Sequence, residues 1–166
     1  MNRTNGALWL QPSLLDRLTN DHPGHRNDPP ETRFISEKGL RESVLRELRW
    51  LFNAAGPLRD IDPARYPHAA KSVLNYGLPC FVGGYAASID MARLQASIRQ
   101  AIVRFEPRIL PSSIEIEPDP ASHVALSHIS LIIRGLLWFR PAPLAIVLRT
   151  QIDLEQGGVT VNDAGA

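Results

Sequence analysis

The spacing of apolar residues changes along the chain, from a helical period before residue 106 to alternation after residue 108. Two stripes recur at intervals of three and four residues: Leu40, Val44, Leu48, Leu51 and Phe52, then Met91, Leu94, Ile98, Ile102 and Phe105. They predict two main amphipathic helices. The first is expected to run from Ser36 to the Gly56-Pro57 pair, and the second from a cap at Ser88 to Glu106.

The last third of the chain has the period of strands with one buried face. Its alternating apolar positions form three runs: Ile114 and Ile116; Ile129, Leu131, Ile133, Leu137 and Phe139; Leu144, Ile146, Leu148, Ile152 and Leu154. A fourth candidate is Val159–Val161, and turns are expected at Arg140–Pro143 and Gln156–Gly158. The predicted fold is therefore α+β, with two main N-terminal helices packed on a three- or four-stranded antiparallel C-terminal sheet.

One of these strands is apolar on both faces. One face of this strand carries the alternating residues from Ile129 through Leu131 and Ile133 to Phe139, and the other face carries Ile132, Leu136 and Trp138. A strand of this kind is either central and covered on both sides, or it presents apolar surface to a partner. The sequence leaves both alternatives open.

The chain ahead of the first main helix divides into two parts. Residues 1–18 contain a candidate short docking helix, Pro12–Leu18, with Ser13 as its cap. Residues 19–34 hold three prolines and no aliphatic residue, which predicts a Pro-rich flexible linker. Residues 35–166 are expected to form one α+β domain.

Local spacing adds two expectations about the helical part. Glu37 and Arg41, and likewise Glu42 and Arg46, are four residues apart on the first main helix, the spacing of helical ion pairs. A short helical piece is expected between the two main helices, over residues 69–75.

Composition narrows the classes of function. The 166 residues carry 18 Lys and Arg against 17 Asp and Glu, so the net charge of +1 favours neither nucleic acid nor an anionic membrane as a partner. Cys80 is the single cysteine, which rules out an internal disulfide. The longest apolar run, Ile129 to Phe139, is too short for a membrane helix, and no signal peptide is evident. We expect a soluble, cytoplasmic protein.

The usual catalytic and ligand-binding patterns are weak in this sequence. The five histidines lack the clustered spacing of a metal site, and no phosphate-binding loop or nucleophile elbow is present. Cys80 has no basic neighbour to activate its thiol. Glu115 and Glu117 share a strand face and could act as paired carboxylates, although a solvated strand face explains them equally. We expect no catalytic residue, no cofactor and no metal.

The junction between the helical and the alternating part carries the clearest polar signal. In Phe105-Glu106-Pro107-Arg108-Ile109, the proline ends the helix, and both charges lie next to apolar residues. Charges removed from water need partners. Glu106 and Arg108 therefore either contact another subunit or form an ion pair within the chain that fixes the helix to the sheet.

Four blocks in order along the chain carry a family resemblance. They are Pro12–Leu18, Glu47–Asn53, Tyr66–Pro79 and Ile98–Arg108. With these blocks the chain resembles the TssE family of type VI secretion baseplate subunits, relatives of the phage-tail baseplate wedge protein called the sheath initiator. In that family the Glu-Pro-Arg motif, here Glu106, Pro107 and Arg108, is thought to hold the contact with the wedge.

The resemblance implies a structural role. It implies contacts with the wedge subunits TssF and TssG, initiation of the contractile sheath of TssB and TssC, and a location in a baseplate at the inner membrane. Strand addition to an exposed sheet edge would suit this role. The expected partner-binding residues are Glu106, Pro107, Arg108, Leu131, Trp138, Ile146 and Leu148.

Two other classes remain open from the sequence. Relatives described as lysozyme-like raise the alternative of a peptidoglycan hydrolase, in which Glu106 would act as the acid. A free-standing adaptor unrelated to secretion is the third.

Overall fold

A computed structural model describes residues 12–19, 35–54, 64–79, 89–121 and 127–165. Five helical segments come first: α1 (Leu14–Leu18), α2 (Glu37–Asn53), α3 (Pro67–Ala70), a 3-10 turn (Val73–Asn75) and α4 (Met91–Phe105). A second 3-10 turn (Pro111–Ser113) leads into β1 (Glu115–Pro118), β2 (His128–Leu137), β3 (Leu144–Asp153) and β4 (Val159–Asp163). The α+β class predicted from the hydrophobic pattern is confirmed.

The four strands form one antiparallel sheet in the order β1-β2-β3-β4. The register places Leu131 of β2 opposite Thr150 of β3, and Thr150 opposite Val161 of β4. β2 and β3 are therefore central, and β1 and β4 are the edges. The two predicted turns join β2 to β3 and β3 to β4, with Gly157 at a φ of 77° in the second.

The core lies between one face of the sheet and the apolar stripes of α2 and α4. Exposure alternates along β2 and β3, so every second residue of these strands is buried. The predicted helical stripes are buried at Leu40, Val44, Leu48, Leu51, Phe52, Leu94, Ile98 and Ile102. Because both helices cover the same face, the other face of the sheet carries no helix of the described residues.

Over the described residues, β2 is central in the sheet but is not covered on both faces. On the uncovered face of β2 and just beyond it, Leu136 is 37% and Trp138 is 46% exposed. Arg134 and Arg149 lie beside them, bonded to Glu117 and Asp119. This face is thus a mixed apolar and charged surface, and only the opposite face of β2 belongs to the core.

Both main helices begin at a side-chain cap. The Ser36 hydroxyl accepts a hydrogen bond from the Gly39 amide at 3.1 Å, and an Asp90 carboxylate oxygen accepts one from the Arg93 amide at 3.1 Å. The prediction of Ser88 as the cap of α4 is therefore wrong. Asp90 stands directly before Met91 and supplies both the acceptor and a negative charge at the helix start.

One of the two predicted ion pairs on α2 is present. Glu37 and Arg41 approach to 3.8 Å, as expected. Glu42 instead lies 3.8 Å from Lys38, and Arg46 reaches Asp16 of α1 at 2.7 Å. The predicted pairing of Glu42 with Arg46 is wrong because Arg46 faces a carboxylate from a distant part of the chain.

The short helices also follow the sequence pattern in part. The Ser13 hydroxyl caps α1 by accepting from the Asp16 amide at 3.4 Å. The piece expected over residues 69–75 is divided into α3 and the 3-10 turn. Residues 20–34 of the predicted linker, together with Cys80, lie outside the described residues.

Candidate partner-binding site

Helix α4 ends at the predicted junction, and the chain then joins the sheet. The Glu106 amide donates the last helical hydrogen bond, to the Ile102 carbonyl at 2.8 Å. Two residues later the Arg108 carbonyl accepts from the Trp138 amide at 2.7 Å, and Ile109 pairs with Leu137. The Glu-Pro-Arg turn therefore fixes the end of α4 to the end of β2.

Glu106 and Arg108 bind each other within the chain. The Arg108 guanidinium donates from Nε to Glu106 Oε1 at 2.7 Å and from Nη2 to Oε2 at 2.5 Å. This two-pronged geometry is the strongest form of an arginine–carboxylate contact. Only 2% of Glu106 is exposed, so its charge depends on Arg108 for compensation.

Helix α2 supplies the remaining partners of Arg108. Its Nη1 donates to the Ser43 hydroxyl at 2.9 Å and its Nη2 to Glu47 Oε2 at 2.7 Å. Burial alone would lower the pKa of Arg108, but its hydrogen bonds to Glu106 and the charges of Glu106 and Glu47 outweigh burial and raise that pKa. We call Ser43, Glu47, Glu106 and Arg108 the charged corner.

The charged corner continues to the N-terminal helix. Glu47 Oε1 lies 3.5 Å from Arg46, and Arg46 lies 2.7 Å from Asp16. Asp16 also accepts from the Ser13 hydroxyl at 2.9 Å. An unbroken series of ionic contacts thus runs from α1 to the Glu-Pro-Arg turn, although α1 buries no residue of its own.

A cavity of about 280 Å³ lies beside this series of contacts. Its walls are Ser13, Leu14, Leu15, Glu47, Leu48, Trp50, Leu51, Tyr76, Phe105 and Glu106. These residues come from all four sequence blocks that carry the family resemblance. Blocks far apart along the chain therefore meet at one site.

Tyr76 closes the cavity on one side. Its ring meets the Phe105 ring edge to face, with the ring centroids 5.1 Å apart. Burial raises the pKa of the Tyr76 hydroxyl, and the negative charges of Glu47 and Glu106 raise it further. The phenol is thus held neutral beside the carboxylates of the charged corner.

The other expected partner-binding residues are divided between surface and core. Pro107 is exposed, and Trp138 is half-exposed on the open face of the sheet. Leu131, Ile146 and Leu148 lie in the core, where the inward-facing positions of β2 and β3 pack under the helices. These three side chains present no surface to a partner in this fold. Their contact with a partner stays a prediction that would need the core to open.

The edge strand β4 meets side chains of α2. Asn53 donates to the Val159 carbonyl at 2.7 Å and accepts from the Val159 amide at 2.9 Å. Arg49 Nε donates to the Val161 carbonyl at 2.8 Å. We call Arg49 and Asn53 the edge cap, because they occupy outward-facing backbone groups that a neighbouring strand would use.

At the opposite edge of the sheet, side chains of α4 likewise donate hydrogen bonds to backbone carbonyls. Gln95 donates to the Ile116 carbonyl at 2.9 Å, and Arg99 donates to the carbonyls of Ile114 and Pro111. β1 also contains Pro118, which has no amide to offer. The exposed sheet edge expected for strand addition is therefore exposed only in part, since side chains of the chain's own helices bond backbone groups at both edges.

Sequence reasoning missed the partners of Arg108 and both members of the edge cap. A signal was present, because Glu47, Arg49 and Asn53 all belong to the second resemblance block, and Arg49 and Asn53 have the spacing of one helix face. Ser43 likewise lies one turn before Glu47. What the pattern could not supply was the identity of the groups these side chains face.

A comparison with protein-family models matches residues 38–142 to the family described as baseplate wedge protein gp25. The chain belongs to the baseplate wedge protein gp25 family. The match extends from the start of α2 to the hairpin after β2, and so includes the whole charged corner. Searches of curated proteins and of solved structures found no match.

Membership in the baseplate wedge protein gp25 family gives the chain a structural role of the phage-baseplate kind, in assembly with other baseplate subunits. Over the described residues, no three His, Cys, Asp or Glu side chains are grouped as a metal site would need. In the same residues, every helix is too short or too polar to cross a bilayer.

Proposed function

We propose that the chain is a type VI secretion baseplate subunit of the TssE kind, which joins the TssF and TssG wedge and initiates the sheath of TssB and TssC. The observation that carries this proposal is the meeting of all four resemblance blocks around the charged corner and its cavity. Family membership supports the baseplate role, and the shared site explains why those separate blocks occur together.

The charged corner supports a wedge contact of a particular kind. Glu106 is satisfied internally, whereas about a quarter of the Arg108 and Glu47 side chains is exposed. Next to them lie the exposed Pro107 and the half-exposed Trp50. We expect a wedge subunit to contact this exposed rim, while the Glu106–Arg108 pair holds the rim in place.

Capture of the wedge tests this contact. Tagged chain would be co-expressed with TssF and TssG of the same organism, and recovery of both wedge subunits is expected. Glu47→Gln should lower recovery several-fold because it removes the charge facing Arg108 and leaves the shape. Glu42→Gln is the matched control, since Glu42 lies on the same helix in an exposed pair with Lys38. Full recovery by Glu47→Gln would argue against a wedge contact at the charged corner.

The state of Glu106 supports a structural rather than a hydrolytic role. A catalytic acid must reach the leaving-group oxygen of a sugar. Both Glu106 oxygens instead accept hydrogen bonds from Arg108, and the residue is shielded from solvent. A turbidity assay on purified cell wall measures hydrolysis by the chain. Lysis by the wild-type chain that is lost in Glu106→Gln would contradict our proposal and support the peptidoglycan hydrolase.

The place of action follows from the same proposal. A chain that joins TssF, TssG and the sheath would work on the cytoplasmic side, in a baseplate docked at the inner membrane. Fluorescent fusions should show foci at the cell envelope that vanish when TssF or TssG is deleted. Diffuse signal that is insensitive to both deletions would instead support a free-standing adaptor.

A further inference from the structure

The edge cap occupies β4 in a selective way. Asp153 donates its amide to the Gly158 carbonyl, so the turn before β4 closes against β3. From there the backbone groups alternate, and those of Val159, Val161 and Asp163 point away from β3. The Asn53 side chain accepts a hydrogen bond from the Val159 amide and donates one to the Val159 carbonyl. Arg49 donates one to the Val161 carbonyl.

The C-terminal half of β4 differs from its N-terminal half. Beyond the Val161 carbonyl, the outward groups are the amide of Val161 and the amide and carbonyl of Asp163. Arg41 of α2 reaches that end, and its Nη1 lies 3.9 Å from the Asp163 carboxylate. The cap therefore occupies the start of the strand, and within the described part of the chain no side chain bonds the amides of Val161 and Asp163.

The two edges of the sheet are unequal as docking surfaces. β1 has four residues and contains Pro118, so its outward row lacks a donor at that position. β4 has five residues, no proline and three outward amides. An incoming strand that needs regular backbone pairing therefore finds a better template at β4.

We propose that Arg49 and Asn53 are a displaceable cap that keeps β4 closed to strand pairing until an extended strand of a sheath subunit displaces them. This inference rests on the proposed function for the choice of partner. The strand first pairs with Val161 and Asp163 and then extends toward Val159 as the two side chains swing away. Each bond that the cap loses is replaced by a backbone bond, so the exchange is close to balanced.

The cap also explains how β4 avoids pairing with other edge strands in the free subunit. Unpaired edges attract other edges, and proteins protect them with charged side chains or covering elements. Here the protecting groups are the guanidinium of Arg49 and the amide of Asn53, each attached to its helix through rotatable single bonds. Such groups can be released without unfolding α2, because Leu48 and Phe52 hold the helix on the core independently.

Two substitutions remove the cap and one blocks the edge. Asn53→Ala and Arg49→Met each delete hydrogen bonds to β4 and keep the helix. Asp163→Pro removes a backbone amide that points outward from the sheet. It breaks no hydrogen bond between β4 and β3, because the backbone groups of Asp163 point away from β3. Gln95→Ala is the matched control, since it deletes the equivalent bond at the β1 edge.

The test measures binding of purified TssB–TssC complex to the full chain, together with self-association and exchange of the Val159 amide. Asn53→Ala and Arg49→Met should bind about tenfold more tightly than wild type, because they have no bond to give up. Gln95→Ala should bind like wild type. Asp163→Pro, alone or combined with Asn53→Ala, should lose binding.

The outcomes separate the cap from the proposed function. If both variants fold, Asn53→Ala exchanges the Val159 amide faster, and yet both variants bind and self-associate like wild type, the cap inference is overturned. If wild type binds and Asp163→Pro binds equally well, the β4 edge is the wrong surface while the sheath role stands. If the cap variants pair only with each other and Asp163→Pro prevents this, the cap is supported and the sheath partner is wrong.

Discussion

At the residue scale, the decisive feature is an arginine that serves two carboxylates from different helices. Arg108 bonds Glu106 at the end of α4 and Glu47 on α2. Sequence reasoning identified both charges of the motif and their need for a partner, because Phe105 and Ile109 flank them. It could not identify Glu47, since some sixty residues separate it from Arg108 and only the folded helices bring them together.

Replacing this arginine should be costly to the fold. Arg108→Met leaves the buried Glu106 charge without compensation, and we expect a loss of about 3–5 kcal/mol in the free energy of unfolding. Arg134→Met is the matched control, because Arg134 also lies 2.6 Å from a carboxylate, that of Glu117, but on an exposed surface. Its loss should stay below about 1 kcal/mol. Urea titrations measure both, and equal losses would contradict a buried role for the Glu106–Arg108 pair.

Tyr76 gives the charged corner a signature in alkaline solution. Its folded pKa lies above the ordinary value of 10.0, so folding favours the neutral phenol. The associated stability is fully present below pH 10 and is lost as the pH rises through the folded pKa. Tyr76→Phe should therefore flatten the alkaline fall in melting temperature. An alkaline fall as steep in Tyr76→Phe as in wild type would contradict the raised pKa of Tyr76.

At the element scale, α1 is held by polar contacts rather than by burial. Asp16→Ala removes its 2.7 Å contact with Arg46 and should release α1, while the melting temperature changes little because surface pairs contribute below about 1 kcal/mol. Hydrogen exchange over residues 14–18 should rise to the rate of an unstructured peptide. Glu42→Ala, which breaks an exposed pair with Lys38, is the control. Unchanged protection in Asp16→Ala would mean that the leucines hold α1.

The two faces of β2 should respond differently to truncation. Leu131 is fully buried, and Leu131→Ala should cost about 2–5 kcal/mol in the free energy of unfolding. Trp138 is half-exposed, and Trp138→Ala should cost no more than about 1 kcal/mol. If the open face binds a partner, Trp138→Ala should nevertheless weaken capture of that partner. A folded Leu131→Ala variant with normal stability would contradict the placement of Leu131 in the core.

Elements were predictable where one physical rule acted alone. Alternation at Ile129, Leu131 and Ile133 placed β2 correctly, and the proline after Glu106 ended α4 where expected. The cap of α4 was misplaced because Ser88 and Asp90 are both good cap residues, and only the position of the first helical turn separates them. The pairing of Arg46 failed because a local spacing rule competed with a tertiary partner, Asp16.

At the scale of the whole molecule, the sequence predicted the α+β class and the family, but not how the sheet edges are handled. Alternation along β4 indicates which side chains face the core and carries no information about what meets its backbone. The edge cap therefore became visible only when α2 and β4 were placed together. A partly occupied β4 edge is what the proposed cap of Arg49 and Asn53 requires.

We propose that this chain starts a sheath from its β4 edge, and the lag before TssB–TssC polymerisation is the measurement that separates this role from its alternatives. Light scattering would follow purified sheath subunits mixed with TssF, TssG and the chain. Our account predicts a shorter lag with the wild-type chain and the lag of the chain-free mixture with Asp163→Pro. Equal lags with wild type, with Asp163→Pro and without the chain would contradict it.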